Sequence, residues 1–359
     1  MSLPYQRIII KIGSNVLTQA NGLPDEQRIG HLVDQMAALR SQGMEVILVS
    51  SGAVASGRSL IKIDEKVNAV ATRQLLASIG QVKLINTYAQ LFEQHKLLCA
   101  QVLVTKSDFR DRTHYLNMKN CLEILLHNGA IPVVNENDVV SVTELMFTDN
   151  DELAGLIASM LNAQALIILS NVDGIFDGDP RTGNAQLIET IKDDTEDLSA
   201  FITTGRSQFG RGGMLTKSNM AKKVAQLGIS VHIANGMRPN VLTDLLAGQV
   251  PHTHFVPDRK ASGKKKWLAH SQHFTKGVVQ INAGAKQVLT SNKATSLLPI
   301  GVIKVVADFQ KGDLIRIIDE EETPIAIGIA EYGAEKARER IGQQKQRPLV
   351  HYDYLYLTA

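Results

Sequence analysis

The sequence predicts two domains: an α/β domain whose mostly parallel sheet is sandwiched by helices, and a small, mostly-β domain after it. Three observations carry this. Short runs that are apolar on both alternating faces recur at 7–12, 45–49, 98–104, 130–134, 165–169 and 229–234, which suits strands buried on both sides of a parallel sheet. Segments of helical period lie between them. Beyond about residue 250 the texture changes to short β-like runs broken by Gly-Asp and Glu-rich turns, the pattern of a separate β domain.

Taken in order, the first run, "RIIIKI", ends with Lys11 and runs into Gly13-Ser14. A helix follows, opening at Pro24-Asp25-Glu26, with Ile29, Leu32, Val33, Met36 and Leu39 on one face, and stopping at Gly43. The second run leads into "VSSGAVASG", which carries Ser50, Ser51, Gly52 and Gly57. The run at 130–134 leads into Asn135-Glu136-Asn137-Asp138. A second helix starts at Asp151, with Leu153, Leu156, Ile157 and Met160 on one face, and a third spans about Thr216 to Leu227, ending at Gly228. Residues 251–266, "PHTHFVPDRKASGKKK", hold two prolines and a basic cluster and read as a linker or surface loop. The boundaries are therefore set at 1–255 for the α/β domain, 256–273 for the linker and 274–359 for the β domain.

Composition bounds the function. A chain of 359 residues is long for one domain and comfortable for two. A hydrophobic fraction of 44% with 21% charged residues is ordinary for a soluble globular protein. A formal charge of +2 gives no argument for a nucleic-acid or membrane partner. Cys99 and Cys121, both in apolar segments, read as buried thiols in a reducing compartment. No signal pattern and no run of about 18 apolar residues is present, so a cytoplasmic protein is expected. The sequence contains no G-x-x-x-x-G-K-[ST] loop, no G-x-G-x-x-G after a strand and no G-x-S-x-G elbow. His252-x-His254 and His270-x-x-His273 have no partner cysteines, and structural zinc wants four closed ligands, so no metal site is assigned.

Three glycine turns remain, and two of them end buried runs, where ligands bind in open α/β sheets. "KIGSNVLT" and "VSSGAVASG" could each place backbone N–H groups and a helix N-terminus around an anion, or simply make tight turns. The third, "FGRGGMLTK", puts Lys217 in the first turn of a helix, where the macrodipole disfavours a cation by roughly 0.3–1 kcal/mol. Lys11 closes a run of isoleucines, and lysine is seldom buried unless paired. Together the two lysines suggest a clamp on a phosphate. The polar knots Asn135–Asp138 and Asp149–Glu152 could cap helices and form turns. They also hold the acceptors an ammonium group needs and the donors a carboxylate needs, the inventory for an α-amino acid.

These residues resemble the amino-acid kinase family, and within it the glutamate 5-kinases that carry a C-terminal PUA domain. The motifs, in this order, are "KIGSNVLT", "VSSGAVASG", "DFRDRTHYLN", "PVVNENDVV", "DNDELAG", "VDGIFDGDPR", "GGMLTK", "INAGAKQVL" and "SLLPIGV". The resemblance implies transfer of phosphate from ATP, with Mg2+, to the γ-carboxylate of L-glutamate, the first step of proline synthesis. It implies that Lys11 and Lys217 contact the phosphates, that Asp151 orients both, and that Ser51, Gly52, Asn135, Asp138 and Asn150 hold glutamate. Gly13, Ser170, Asn171, Arg211, Gly212, Gly213, Met214, Leu215 and Thr216 would lie along ATP. Feedback inhibition by proline, a substrate and inhibitor loop at 140–148, a homo-oligomer and coupling to the next enzyme of the pathway are further implications. Ser170-Asn171 stands where the family usually has Thr-Asp, Arg211 where a small or hydroxyl residue is common, and Phe147-Thr148 where Phe-Gly is common. The role of "DFRDRTHYLN" is not assigned.

Two other readings stay open. One is a kinase of aspartate or N-acetylglutamate. The other is an RNA-binding regulator acting through the small domain, with Arg259, Lys260, Lys264, Lys265 and Lys266 as its basic cluster; without interleaved aromatics the cluster reads first as a solvated linker. A side-chain carboxylate is ionised at neutral pH, with an ordinary pKa of about 4.3. A kinase acting on it needs positioning and charge neutralisation rather than a general base.

Overall fold

The computed structural model describes residues 5–63, 68–109, 112–140, 147, 149–178, 185–192, 213–257, 275–291 and 295–358. The chain divides into two compact units, residues 1–260 and 261–359. The linker expected over 256–273 lies almost wholly outside the described residues.

The strands of the first unit are β1 (Arg7–Ile12), β2 (Glu45–Ser50), β3 (Cys99–Val104), β4 (Ile131–Glu136), β5 (Ala165–Ser170), β6 (Thr190–Ile191), β7 (Ser230–Asn235) and β8 (His252–Phe255). Its helices are α1 (Ser14–Leu17), α2 (Glu26–Ser41), α3 (Ala53–Arg58), α4 (Ala69–Gln94), α5 (Arg112–His127), α6 (Asn150–Met160), α7 (Met214–Gln226) and α8 (Val241–Leu246). The strands form one eight-stranded sheet in the order β3-β4-β2-β1-β5-β7-β8-β6. From β3 to β7 every pair is parallel, and β8 runs antiparallel to β7. Burial follows this order. Ile8, Ile9, Ile10 and Ile12 of central β1 are fully buried, whereas most of edge strand β3 is only partly covered.

Parallel pairing brings the carboxyl ends of β1, β2, β4 and β5 to one edge. Lys11 lies opposite Val49 of β2 and Ile168 of β5, and Val49 in turn lies opposite Val134 of β4. The expected turns after these strands therefore share one side of the sheet.

The structure corrects two expectations and adds an element. His252–Phe255 is a strand, not part of a linker: Thr253 and Phe255 point inward and are buried, while the two histidines are partly covered. Cys121 is exposed on α5 rather than buried, and Cys99 is partly exposed. Helix α4, 26 residues long, was not identified in the sequence. It packs closely on α3: a Cβ at Gly80 would lie 1.8 Å from the carbonyl oxygen of Ala53, and one at Gly57 2.1 Å from that of Leu76.

In the second unit β9 (Gly277–Ile281), β10 (Val302–Ala307), β11 (Leu314–Ile318), β12 (Pro324–Ala330) and β13 (Val350–Leu357) form a five-stranded, largely antiparallel sheet in the order β10-β9-β11-β12-β13. Two short helices, α9 (Ala283–Leu289) and α10 (Ala334–Arg340), accompany it. It has its own core of Val279, Ile281, Ile315, Ile317, Ala326 and Val350.

Candidate active site

Three elements deliver three charges to one buried point. Lys11 comes from the end of β1, Asp151 from the first turn of α6 and Lys217 from the first turn of α7; they are 5%, 1% and 8% exposed. The Lys11 ammonium lies 2.6 Å from Asp151 Oδ1. The Lys217 ammonium donates to Asp151 Oδ2. Asp149 places the carboxylate by capping α6, accepting from the backbone N–H groups of Asp151 (2.9 Å) and Glu152 (3.0 Å).

Electrostatics ties the three together. Burial pushes the Asp151 carboxyl upward, but the Lys11 and Lys217 ammonium groups outweigh it and hold the carboxyl well below the usual range. Burial pulls Lys11 down, opposed by Asp151. Asp149 is raised, first by burial and then by the charge of Asp151. Two ammonium groups converge on the Asp151 carboxylate, and Asp149 stands close enough to interact with both of them. A pair of cations beside a helix N-terminus suits an anionic group such as a phosphate.

Beside this centre runs a chain of amide hydrogen bonds. Asn150 Nδ2 donates to the Ser50 carbonyl (3.0 Å), to Ser51 Oγ (3.1 Å) and to Asn135 Oδ1 (3.1 Å). Asn135 Nδ2 donates to Gln81 Oε1 of α4 at 3.0 Å. Gly52 begins α3 at φ +105°, a left-handed conformation that glycine adopts without strain. Asp138 accepts from Arg73 Nε at 2.9 Å, and Gln74 Nε2 donates to the Val139 carbonyl at 2.7 Å. The knots at 135–138 and 149–152 are thus joined through Asn135 and Asn150, and α4 supports the first of them.

On the other side, Gly213 caps α7, and Met214, Leu215 and Thr216 form its first turn. Thr216 Oγ1 donates to the Gly213 carbonyl at 2.8 Å. Ser170 ends β5 and its carbonyl accepts from Gly236 N at 2.8 Å, with Asn171 exposed beside it. The Gly13 N–H is already committed to the Leu169 carbonyl at 3.1 Å. A Cβ there would press on the same carbonyl oxygen at 3.3 Å and stand in ordinary contact with Lys11 Nζ at 3.6 Å. Arg211 and Gly212, most of the loop 140–148, and the basic cluster at 259–266 lie outside the described residues.

The sequence missed Gln81 and Arg73, because the helix that carries them was not recognised. The segment "DFRDRTHYLN" acts in part as a brace after β3. Asp108 accepts from Thr105 N (2.7 Å) and Oγ1 (2.8 Å), and the Phe109 ring meets Phe147 edge-on at 5.8 Å. Phe147 N donates to buried Glu136 Oε1 at 2.9 Å. Among the described residues no three His, Cys, Asp or Glu side chains gather as a metal cage, and no helix is long and apolar enough to cross a membrane.

Comparison with known proteins adds the family. Residues 6–235 match the model of the amino acid kinase family, and residues 277–351 match the PUA domain. The chain is 51% identical over 362 residues to a glutamate 5-kinase of Bacteroides thetaiotaomicron, covering 99% of this chain and 100% of that one. It is also 51% identical over 355 residues to a glutamate 5-kinase of Chlorobaculum tepidum, covering 99% and 98%. Among solved structures, carbamate kinase from Giardia lamblia bound to AMP-PNP superposes with a TM-score of 0.52 at 16% identity. That match covers 72% of this chain and 100% of the other, a likeness of fold alone.

Proposed function

The chain belongs to the amino acid kinase family, and from that premise we propose that it transfers the γ-phosphoryl group of ATP to the γ-carboxylate of L-glutamate. The observation that carries this reading is the buried Lys11–Asp151–Lys217 centre, set between a glycine-capped helix N-terminus and an array of amide and carboxylate groups. The names of two relatives at 51% identity, both glutamate 5-kinases, support glutamate as the acceptor.

The nucleophile needs no base, because a side-chain carboxylate is already ionised at neutral pH. What the protein supplies is position and charge. The array of Ser51, Asn135, Asp138 and Asn150 holds the amino acid with its side-chain carboxylate toward the lysines. Lys11 and Lys217 neutralise the negative charge carried by the transferring phosphoryl. Asp151, ionised throughout, keeps both ammonium groups aimed and stops them repelling each other. Both of its oxygens are engaged by lysines, so the donor set fits a magnesium ion held chiefly by the nucleotide phosphates rather than by a protein cage. When bound, that ion would offset phosphate charge. Proline, as an amino acid bearing a carboxylate and an ammonium, would inhibit by competing for the same array. The cytoplasm is the expected location and a homo-oligomer the expected assembly.

The test is ADP release from ATP and Mg2+, with hydroxylamine trapping any acyl phosphate, across glutamate, aspartate and N-acetylglutamate, with and without proline. Turnover with glutamate alone, suppressed by proline, is the expected result. Turnover only with another acid would discard the substrate assignment and keep the phosphate clamp. No turnover with any would discard the kinase reading and turn attention to RNA binding by the small domain.

A further inference from the structure

Arg73 and Asp138 form an ion pair that is only half used. Arg73 directs both Nε and Nη2 at one oxygen of Asp138, Oδ1, with the Nε contact at 2.9 Å. Among the described residues neither Asp138 Oδ2 nor Arg73 Nη1 makes a hydrogen bond. The same protein shows the saturated alternative: Arg238 reaches Asp173 Oδ1 through Nε at 2.6 Å and Oδ2 through Nη2 at 2.9 Å. That two-oxygen fork is a frequent Arg–carboxylate arrangement and adds geometric specificity as well as energy.

The half-used pair is otherwise well fixed. Asp138 is 8% exposed, and Gln74, the neighbour of Arg73 on α4, holds the Val139 carbonyl. Glu136 Oε2 stands 3.8 Å from Arg73 Nη2 and gives the guanidinium a second anionic neighbour. Asp138 follows three residues after Asn135, whose side chain is bonded to Asn150 and through it to Ser51. The pair therefore adjoins the array assigned to the amino acid and offers one open acceptor and one open donor of opposite charge.

We propose that Arg73 is a specificity-determining residue that binds the α-carboxylate of the substrate while Asp138 Oδ2 takes its α-ammonium, so that the pair reads the zwitterionic head of a free amino acid. This rests on the proposed function. An ammonium and a carboxylate borne on one carbon are close enough for one fixed ion pair to contact both. An N-acylated acid would leave Asp138 without its cationic partner, and an acid lacking the α-carboxylate would leave Arg73 without its anion, each a costly loss in a partly desolvated site.

The experiment compares L-glutamate with 4-aminobutanoate, which lacks only the α-carboxylate, in the wild-type chain and in Arg73→Gln, using trapped acyl phosphate as readout. Arg73→Gln should lower kcat/KM for glutamate about a hundredfold, mostly through KM, as loss of a charge-assisted contact does. It should leave the value for 4-aminobutanoate nearly unchanged. Arg73→Lys, which keeps the charge and loses the fork, should fall between and serves as the second variant if Arg73→Gln does not fold. Equal losses for both substrates would overturn the inference and reduce Arg73 to a brace for Asp138; so would an unchanged KM for glutamate in either variant. A wild-type chain that phosphorylates no glutamate would instead overturn the proposed reaction, and this inference with it.

Discussion

Lys217 and Asp151 touch each other, yet their removal is expected to have different consequences. Lys217→Ala leaves Asp151 paired with Lys11 at 2.6 Å, so the fold should survive while kcat falls by about two decades or more, as when other preorganised charge donors are removed. Asp151→Asn leaves two buried ammonium groups without the carboxylate that bridges them. Breaking a buried pair in this way costs about 3–5 kcal/mol of stability, and activity should be lost as well. Urea unfolding alongside steady-state kinetics separates the two. Equal stability losses in both variants would contradict the assigned roles. Both lysines were legible in the sequence because each broke a rule, one by closing an isoleucine run and the other by sitting at the positive end of a helix. Arg73 and Gln81 broke none. They are polar residues on a helix whose packed face includes Ala77 and Gly80, so its period is faint in hydrophobicity alone.

At the scale of elements, the α3–α4 contact decides where Ser51 and Gln81 stand. Gly80→Ala would put a methyl 1.8 Å from the Ala53 carbonyl oxygen and 2.3 Å from Gly57 N, and backbone cannot yield there as a flexible side chain would. We expect a loss of about 3 kcal/mol, the upper range for overpacking, together with a raised KM for the acid substrate. Thermal unfolding and KM check this, and wild-type values for both would contradict it. The strand β8 escaped recognition because its outward positions are histidines and its flanks are prolines. His232 of β7, paired opposite His254, matters to pH. The rings of His232 and His254 stack at 4.4 Å, and Tyr5 bonds to His232 at 2.9 Å. Burial, with His254 and His252 adding to it, lowers the His232 pKa from 6.5 to about 3. The unfolded chain therefore binds a proton near pH 6.5 that the folded chain refuses until about pH 3. Stability is full above that window and falls as pH drops through it, by about 1.4 kcal/mol per unit for this group. Unfolding free energies at pH 7 and pH 5 should differ less in His232→Gln than in the wild-type chain; an unaltered difference would contradict the assignment.

At the scale of the whole molecule, the division into an α/β unit and a β unit was legible because each has its own core and its own periodicity. The central strands β1 and β5 are buried on both faces and read as unbroken apolar runs. The short edge made by β8, antiparallel to β7, and β6, parallel to β8, is too brief to leave such a pattern. The charges meet because parallel strands end on one side of the sheet, and no spacing along the chain announces that residues 11, 151 and 217 converge. The central claim is that a side-chain carboxylate oxygen of the amino acid attacks the γ-phosphorus of ATP at that convergence. It is tested most directly with glutamate labelled with 18O in its γ-carboxylate, turned over with ATP, Mg2+ and hydroxylamine, the released phosphate being examined by 31P NMR. Attack by the carboxylate forms an acyl phosphate whose bridging oxygen is labelled, and hydroxylamine then expels that oxygen with the phosphate. Each phosphate released should carry one 18O. Unlabelled phosphate would mean that water, not the carboxylate, is the nucleophile.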